Sequence, residues 1–149
     1  MRRLSIALVA TTLLVGLATA PVTAATKQPV GSRINLFLGN QAFAASTAFH
    51  IDDGFGFADT STVDAIGKYS FALDVDGGPR AADFIQRSQS SAFELLELWF
   101  FNFASGLTGT HTFTGHFFEP CNGGSVPCNG NRIHTPVETL TLSAIVAFS

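Results

Sequence analysis

The alternation of large apolar residues with small or polar residues is the feature that most constrains how this chain can fold. Between positions 48 and 57, phenylalanine or isoleucine occupies four odd positions, whereas the even positions carry Ala, His, Asp and Gly. The segments 69–76, 110–118 and 137–148 repeat this period of two residues. Because the side chains of a β-strand point alternately to its two faces, the pattern predicts strands that each have one apolar face and one wet face.

Three further stretches are expected to be strands although their patterns are less regular. The short apolar run 33–38 predicts a first strand. The Asp-Gly-Gly-Pro sequence at 76–79 predicts a tight hairpin turn, with 81–86 as the returning strand. Residues 92–103 also fit a helical stripe, but 98–103 is aromatic on both faces, which favours a central strand.

Roughly seven strands with hairpin-length connections predict an all-β fold, namely an antiparallel Ig-like β-sandwich; a small closed β-barrel is the alternative. The chain has 149 residues, which suits one domain, and its 13% of charged residues is too little for a disordered chain or a coiled coil. Fifteen residues are phenylalanine, so a core filled with aromatic rings is expected.

The first 24 residues are typical of a secretory signal peptide. Arg2 and Arg3 form a positively charged start, 4–18 is an uncharged apolar run, and Val-Thr-Ala at 22–24 supplies the cleavage site. The apolar run is shorter than the roughly 20 residues that span a bilayer. We therefore predict a signal peptide at 1–24, a single β-sandwich domain at 25–149, and a secreted, periplasmic or extracellular protein with no membrane span after cleavage.

The charge of the mature chain excludes one class of partner. Removal of the signal would leave six Lys and Arg residues against eleven Asp and Glu residues, a net charge of about −5. Proteins that bind nucleic acids present clustered positive charge to the phosphates. No nucleic-acid partner is therefore predicted.

Cys121 and Cys128 lie in a segment in which the tetrapeptide Pro-Cys-Asn-Gly occurs twice. In an exported chain an even pair of cysteines predicts a disulfide. The bridge would close a short loop and stabilise it by about 2.5 kcal/mol in the chain-entropy model. A metal site or a redox pair, which are the alternatives, would need Cys-x-x-Cys spacing or more ligands.

The four histidines raise the question of a metal site. His111 and His116 are five residues apart, so they are expected on opposite faces of one strand. His50 and Asp52 share a face, but two ligands are too few for zinc. A set of His50, Asp52 and His134 is the alternative, and no metal is predicted.

The sequence predicts no cofactor and no catalytic residue, and favours a protein that is not an enzyme. It has no Gly-x-Ser-x-Gly elbow, and Asp52 and Asp53 should point apart, as adjacent strand residues do, rather than form an acid and base pair. Asp74 and Asp76 resemble the opening of a calcium loop, but Pro79 stands where that loop requires glycine. Turn formation accounts for these aspartates.

Residues 106–115, Gly-Leu-Thr-Gly-Thr-His-Thr-Phe-Thr-Gly, resemble the turn and penultimate strand of bacterial secreted Ig-like or PKD-like domains. In those domains Leu-x-x-Gly-x-Tyr-x-Phe forms a corner, and here His111 stands at the tyrosine position. Residues 48–51 before a Gly-aromatic bend, together with 110–115, are also similar to small exported bacterial proteins of unknown role. The resemblance implies a secreted sandwich and no particular activity.

The longest connections, 52–68 and 119–136, are expected at the same end of an Ig-like sandwich. A disulfide-closed loop loses less entropy on contact, which predicts a recognition surface there, although the staple could instead only protect the loop from proteases.

The predicted function is a secreted, non-catalytic binding or cell-envelope module for a protein or cell-surface ligand. The alternative is a small β-barrel that binds an apolar ligand or acts on it as an isomerase or hydrolase. The candidate ligand-binding residues are His50, Asp53, Asn122, Asn129, Arg132 and His134.

Overall fold

The computed structural model describes residues 27–58, 68–89 and 93–149, and nine β-strands lie in these residues. Their one helical element is a single 3₁₀ turn, Leu36–Leu38. The predicted all-β class is confirmed. The strands are β1 (Ser32–Ile34), β2 (Gln41–Phe43), β3 (Phe49–Phe57), β4 (Ser70–Val75), β5 (Gly78–Arg80), β6 (Phe84–Ser88), β7 (Leu95–Phe103), β8 (Gly109–Pro120) and β9 (Pro136–Phe148).

The strands form two sheets that pack face to face. Sheet A has the strand order β1-β3-β7-β6, and sheet B has the order β2-β9-β8-β4-β5. The predicted sandwich architecture is therefore confirmed. The closed-barrel alternative is wrong, because no strand pairing in the described residues joins the edges of the sheets into one cylinder. The alternative function, an apolar ligand bound or converted inside a small barrel, presupposes that closed barrel.

The sheets differ from the prediction in strand number and direction. Nine short strands replace the expected seven, and two pairs are parallel, β1 with β3 and β2 with β9. The predicted strand at 33–38 is interrupted because the Asn35 side chain accepts a hydrogen bond from the Phe37 backbone N–H at 2.9 Å, which begins the 3₁₀ turn. The chain thus leaves sheet A after Ile34 and enters sheet B at Gln41.

The hairpin turn predicted after β4 is confirmed, but its returning strand is not the predicted one. Asp76 and Gly77 have positive φ angles of 53° and 78°, as a two-residue turn between antiparallel strands requires. The returning strand is β5, whose central Pro79 has no N–H to donate and suits a short edge strand. Residues 81–83 then cross to sheet A, where β6 pairs with β7.

The ambiguous stretch 92–103 is a strand from Leu95 to Phe103, as predicted; positions 93 and 94 precede that strand, and position 92 lies outside the described residues. β7 is central in sheet A, between β3 and β6. Phe101 on one face and Phe100 on the other are both buried, and Phe100 stacks on Phe84 with ring centroids 4.6 Å apart. A strand covered on both faces explains why its aromatic residues do not alternate with polar ones.

Phenylalanine rings fill the space between the sheets, as the composition predicted. Phe49 of sheet A stacks on Phe103 with ring centroids 4.4 Å apart and makes an edge contact with Phe113 of sheet B at 5.9 Å. Phe71 and Phe101 meet across the sheets at 5.8 Å. Stacked and edge-to-face pairs are the arrangements that aromatic rings prefer. The apolar positions of the alternating segments therefore form the core, among them Phe49 and Ile51 on β3 and Val146 and Phe148 on β9.

β8 and β9 form the predicted antiparallel hairpin, with one irregularity. Phe117 pairs with Leu140, whereas Phe118 pairs with Glu138, so Thr139 is an extra residue on β9. Such a β-bulge shifts the alternation of side chains along its strand. Consequently Glu138 and Thr141 lie on the same outer face of sheet B although their numbers differ by three.

Gly115 of β8 tests how tightly the core is packed. A Cβ at Gly115 would lie 2.7 Å from a methyl of Leu36 and 2.8 Å from the ring of Phe71. We expect Gly115→Ala to lower the free energy of unfolding by about 1–3 kcal/mol, because the crowded neighbours must shift. Gly78→Ala is the matched control, since a Cβ there meets only Val75 O at 3.5 Å, and its effect should stay within about 0.5 kcal/mol. Equal losses in urea unfolding would contradict the close packing at Gly115.

Candidate functional site

Three connections between strands open at one end of the sandwich. β3 ends at Phe57, which pairs with Leu95 at the start of β7, and β4 begins at Ser70, which pairs with Phe118 near the end of β8. The rings of Phe57 and Tyr69 meet here at 4.9 Å. The β3–β4, β6–β7 and β8–β9 connections therefore share this end, which we call the loop end. The middle parts of the first two connections lie outside the described residues.

A disulfide closes the β8–β9 connection, which the structure describes throughout. Cys121 and Cys128 are bonded, as predicted. Oδ1 of Asn122 accepts hydrogen bonds from the backbone N–H groups of Gly124 at 2.8 Å and Val126 at 3.0 Å. An asparagine that bonds to the backbone ahead of it holds a turn. The shape of this connection therefore depends on internal hydrogen bonds as well as on the disulfide.

The returning arm of the same connection is tied to its first arm. The Cys121 N–H donates to the Thr135 carbonyl at 2.9 Å, and the Cys121 carbonyl accepts from the His134 N–H at 2.8 Å. His134 has a φ angle of 72°, an unfavourable value for a residue with a side chain, which these bonds hold in place. We call residues 121–135 the stapled loop.

A groove of about 250 Å³ runs between the stapled loop and the first residues of β9. Its lining combines residues with hydroxyl, amide and carboxylate groups with two valines and a proline. The loop wall consists of Ser125, Val126, Pro127 and Asn129, and the strand wall consists of Val137, Glu138 and Thr139.

Four of the six predicted ligand-binding residues lie on the stapled loop. Asn129 lines the groove. Asn122 uses its side-chain oxygen to hold the turn. Arg132 and His134 are exposed on the returning arm. The structure thus brings these four residues to one end of the molecule, and Asn129 is the one of the four that faces the groove.

His50 and Asp53 do not lie at the loop end. His50 stands at the beginning of β3 on the outer face of sheet A, where its Nδ1 is 2.8 Å from the Val30 carbonyl oxygen and its Nε2 is 3.7 Å from Oδ1 of Asp52. Asp53 is in the middle of β3 and pairs with Trp99. Because β3 runs towards the loop end, its early residues are remote from the stapled loop. The six residues therefore do not form a single site.

The alternative metal set of His50, Asp52 and His134 is not assembled either. Arg33 occupies the Asp52 carboxylate, with its Nε 2.5 Å from Oδ1, and His134 lies at the opposite end of the sandwich from His50. Within residues 27–58, 68–89 and 93–149 no three His, Cys, Asp or Glu side chains are placed to hold a metal ion.

A polar cluster next to the groove was not identified from the sequence. His116 lies on the outer face of sheet B with Nδ1 2.7 Å from Oε1 of Glu138 and Nε2 3.5 Å from Oδ2 of Asp74. The Thr141 hydroxyl also donates to Glu138. Hydrogen bonds from Thr141 and His116 lower the pKa of Glu138. Glu138, which lines the groove, is therefore held in its ionised form at neutral pH.

The sequence contained no clear signal for this cluster. Positions 138 and 141 differ by an odd number, so simple alternation places them on opposite faces, and only the bulge at Thr139 brings Glu138 to the side of His116. The alternation of Thr and Leu is regular from position 139 onwards and does not extend to the residues before it. This break in the pattern was the one sequence feature that indicated a bulge.

His111, at the position of the tyrosine in the corner motif, bonds in two directions. Its Nε2 lies 3.0 Å from the carbonyl oxygen of Thr108, three residues upstream, and its Nδ1 lies 2.7 Å from Oδ2 of Asp76. Asp76 in turn accepts a hydrogen bond from the Thr112 N–H at 2.9 Å. Both ring nitrogens of His111 face acceptors, and the hydrogen bond to Asp76 raises the pKa of His111. The hydrogen bonds that Asp76 accepts from Thr112 and His111 lower the pKa of Asp76.

Two further carboxyl groups are buried in sheet A. Glu97 forms an ion pair with Arg87, at 2.7 Å, and its Oε2 has no hydrogen-bond partner in the described part of the chain. Burial raises the pKa of Asp53 to about 6, although the Gly54 N–H bonds to it. Neither residue lines the groove.

We compared the chain with protein-family models, with curated proteins and with solved structures, and none of the three comparisons finds a match. No helix in the described residues is long and apolar enough to cross a membrane. The assignment of function therefore depends on the geometry of the site.

The pair of His111 and Asp76 should make stability depend on pH. The raised pKa of His111 means that its contribution is fully present below its ordinary pKa and is lost as the pH rises through the raised value. We expect His111→Gln to lose at most about 1 kcal/mol at about pH 5, since Asp76 is half exposed, and less at about pH 9. Thermal unfolding at both pH values measures this. The same trend persisting in Asp76→Asn would contradict the pairing.

The ionisation of Asp53 should lower stability at neutral pH, whereas the pair of His111 and Asp76 stabilises the fold at acidic pH. Its raised pKa means that its ionisation destabilises the fold: the penalty is absent below its ordinary pKa and complete above about 6. We expect Asp53→Asn, whose carbonyl can still accept from the Gly54 N–H, to raise the free energy of unfolding by about 1–3 kcal/mol at neutral to basic pH. The gain should vanish near pH 4 in urea unfolding. A gain that is independent of pH would rule out ionisation as its cause.

Proposed function

We propose that this protein is an exported, non-catalytic β-sandwich of the Ig-like type that binds a partner protein or a cell-surface ligand through the stapled loop. The sequence pattern of 1–24 and the disulfide both support export, because disulfides persist in oxidising compartments. The bond from His111 to the Thr108 carbonyl supports the Ig-like type, since it replaces the upstream bond that a corner tyrosine makes.

The observation that carries the proposal is that the stapled loop is shaped before any partner arrives. The disulfide, the turn around Asn122 and the bonds between the two arms fix its backbone. A preordered loop loses little conformational entropy when it is bound, which favours affinity. Its exposed side chains and the groove beside it are thus presented to a partner in one arrangement.

The chemistry of the groove favours a ligand that donates hydrogen bonds. The Ser125 hydroxyl and the Asn129 amide lie on one wall, and the Glu138 carboxylate, with its lowered pKa, lies on the other. Hydroxyl groups of a glycan, backbone N–H groups of a peptide or an ammonium group would satisfy these acceptors. Arg132 and His134, exposed on the returning arm of the stapled loop, offer donors of their own.

The binding surface can be tested with the labelled secreted protein and an envelope preparation of the cells that make it. We expect saturable binding that Asn129→Gly weakens at least about tenfold, or about 1.4 kcal/mol. Glycine suits the positive φ angle of Asn129, 48°, so the substitution removes the side chain without backbone strain. Asn40→Gly, at an exposed asparagine away from the loop end, is the matched control. Equal binding by both variants would contradict a role for the groove.

Export has a separate test. We expect the intact mass of the protein recovered outside the cytoplasm to correspond to cleavage after Ala24, because 22–24 supplies the cleavage site. A product that retains residues 1–24 would contradict the signal peptide, and the measurement does not depend on any ligand.

Removal of the staple should separate folding from binding. We expect the double variant Cys121→Ser, Cys128→Ser to keep its far-ultraviolet circular dichroism spectrum, to lose about 2.5 kcal/mol of unfolding free energy and to bind the envelope preparation more weakly. The wild-type protein in reductant is the control and should behave in the same way. An unfolded double variant would show that the disulfide is needed for the whole fold, and unchanged binding would show that loop rigidity is not used.

A further inference from the structure

The groove beside the stapled loop has a size and a lining that suit one extended side chain. Its volume of about 250 Å³ lies below the roughly 300–1,000 Å³ of sites that enclose a drug-sized molecule. Val126, Pro127 and Val137 contribute apolar groups, and Glu138 is the one charged residue among the seven that line the groove. Arg132 of the stapled loop is not among them. A ligand that matches this lining combines an apolar stem with one polar or charged head.

The Glu138 carboxylate offers one of its two oxygens to such a ligand. His116 Nδ1 lies 2.7 Å from Oε1 of Glu138, and the Thr141 hydroxyl donates to the same oxygen. A carboxylate oxygen has about two lone-pair sites, so these two bonds fill Oε1. Oε2 takes part in neither bond, and the Glu138 side chain is 41% exposed. Glu138 therefore presents one fixed oxygen to a ligand in the groove.

The charges next to Glu138 favour a cation as that ligand. Thr139, which also lines the groove, donates its hydroxyl to Oε1 of Glu119 at 2.8 Å. Oδ2 of Asp74 lies 3.5 Å from Nε2 of His116. Three carboxylates thus stand against one imidazole, so the net charge here is negative at neutral pH even when His116 is protonated. The whole chain has a net charge of −3, which speeds the approach of a positively charged partner.

We propose that the groove binds a lysine side chain of a partner protein, with the aliphatic stem against the two valines and the proline and the ammonium group on Oε2 of Glu138. This role rests on the binding function proposed above for the stapled loop and names the chemistry of the partner. Long cationic side chains bury their stems along apolar surface while the charged head stays at a polar group. The ethanolamine of a lipid headgroup and an amino sugar carry an ammonium group without such a stem.

The single available oxygen of Glu138 favours lysine over arginine. A planar guanidinium binds a carboxylate best when it can bond to both oxygens, whereas an ammonium group is a point charge that one oxygen satisfies. His116 and Thr141 hold the other oxygen and do not line the groove. They are therefore positioning residues, and they set the preference between the two cations.

The first experiment titrates the isotope-labelled secreted protein with Nα-acetyl-lysine methylamide and follows two-dimensional NMR spectra. We expect saturable shifts at Val126, Asn129 and Glu138. The norleucine analogue, which has the stem without the charge, should bind at least about fivefold more weakly, because it loses the ion pair. Ethanolamine and glucosamine, which have the charge without the stem, should also bind more weakly, and so should the arginine analogue.

The second experiment removes the charge of Glu138. Glu138→Gln keeps the size of the side chain, and it should weaken binding of the lysine probe at least about fivefold. Asp83→Asn is the matched control, because it also removes one negative charge. Asp83 accepts a hydrogen bond from the Asn102 N–H near the end of β7 that is remote from the loop end, so this variant should leave binding unchanged.

The third experiment tests the two positioning residues. The double variant His116→Ala, Thr141→Val frees Oε1 of Glu138, so the arginine analogue should now bind more tightly than the lysine probe. The double variant His116→Asn, Thr141→Ser keeps a hydrogen-bond donor at each position and should retain the preference for lysine. A loss of stability alone would not change the ratio of the two affinities, and circular dichroism confirms that each variant is folded.

Several outcomes would overturn the proposal. Absence of shifts with the lysine probe, or equal binding of the norleucine analogue or by Glu138→Gln, would contradict an ammonium site. Tighter binding of ethanolamine or glucosamine would assign the groove to a lipid headgroup or a glycan. A preference for lysine that survives His116→Ala, Thr141→Val would contradict the positioning role. If the lysine probe fails while Asn129→Gly still weakens binding to the envelope preparation, the partner has another chemistry and the proposed function stands.

Discussion

Ring contacts between the two sheets are the interactions on which the rest of this structure depends. Phe49 touches Phe113, and Phe71 touches Phe101, so each sheet is held against the other by aromatic side chains from central strands. A fully buried phenylalanine contributes about 1.5–3 kcal/mol, and the chain places many of its fifteen phenylalanines in this layer. The short edge strands β1 and β2 add Ile34 and Phe43 to the margin of this layer.

The part of the fold that follows from side-chain alternation could be predicted from the sequence, and the part that follows from single hydrogen bonds could not. Alternation identified the core positions of β3, β4, β8 and β9, because burying one face requires them. It did not identify the 3₁₀ turn, which depends on one bond from Phe37 to the side chain of Asn35. Nor did alternation show that the chain crosses from sheet B to sheet A after β5. The alternation within one strand does not indicate which sheet edge the next strand joins.

The residues of the candidate site could likewise be predicted only in part from the sequence. Residues close together in sequence, such as Asn122 and Asn129, were correctly expected on one loop, because a short disulfide-closed segment keeps its members together. His50 lies about 24 Å along β3 from the end of that strand, and the sequence does not state which end of a strand meets which loop. The contact between His116 and Glu138 depends on a bulge that adds one residue, so alternation alone predicts the wrong face.

The parallel pairing of β2 with β9 has a consequence for the time course of folding. It joins Gln41–Phe43 to Val146–Phe148, so the two partners are separated by most of the chain, and sheet B cannot be completed until the last strand is present. Folds dominated by such distant pairings form slowly, on the scale of milliseconds to seconds. A chain of this topology therefore stays unfolded for longer after synthesis than one built from local hairpins, and its unpaired strands are exposed to other molecules during that time.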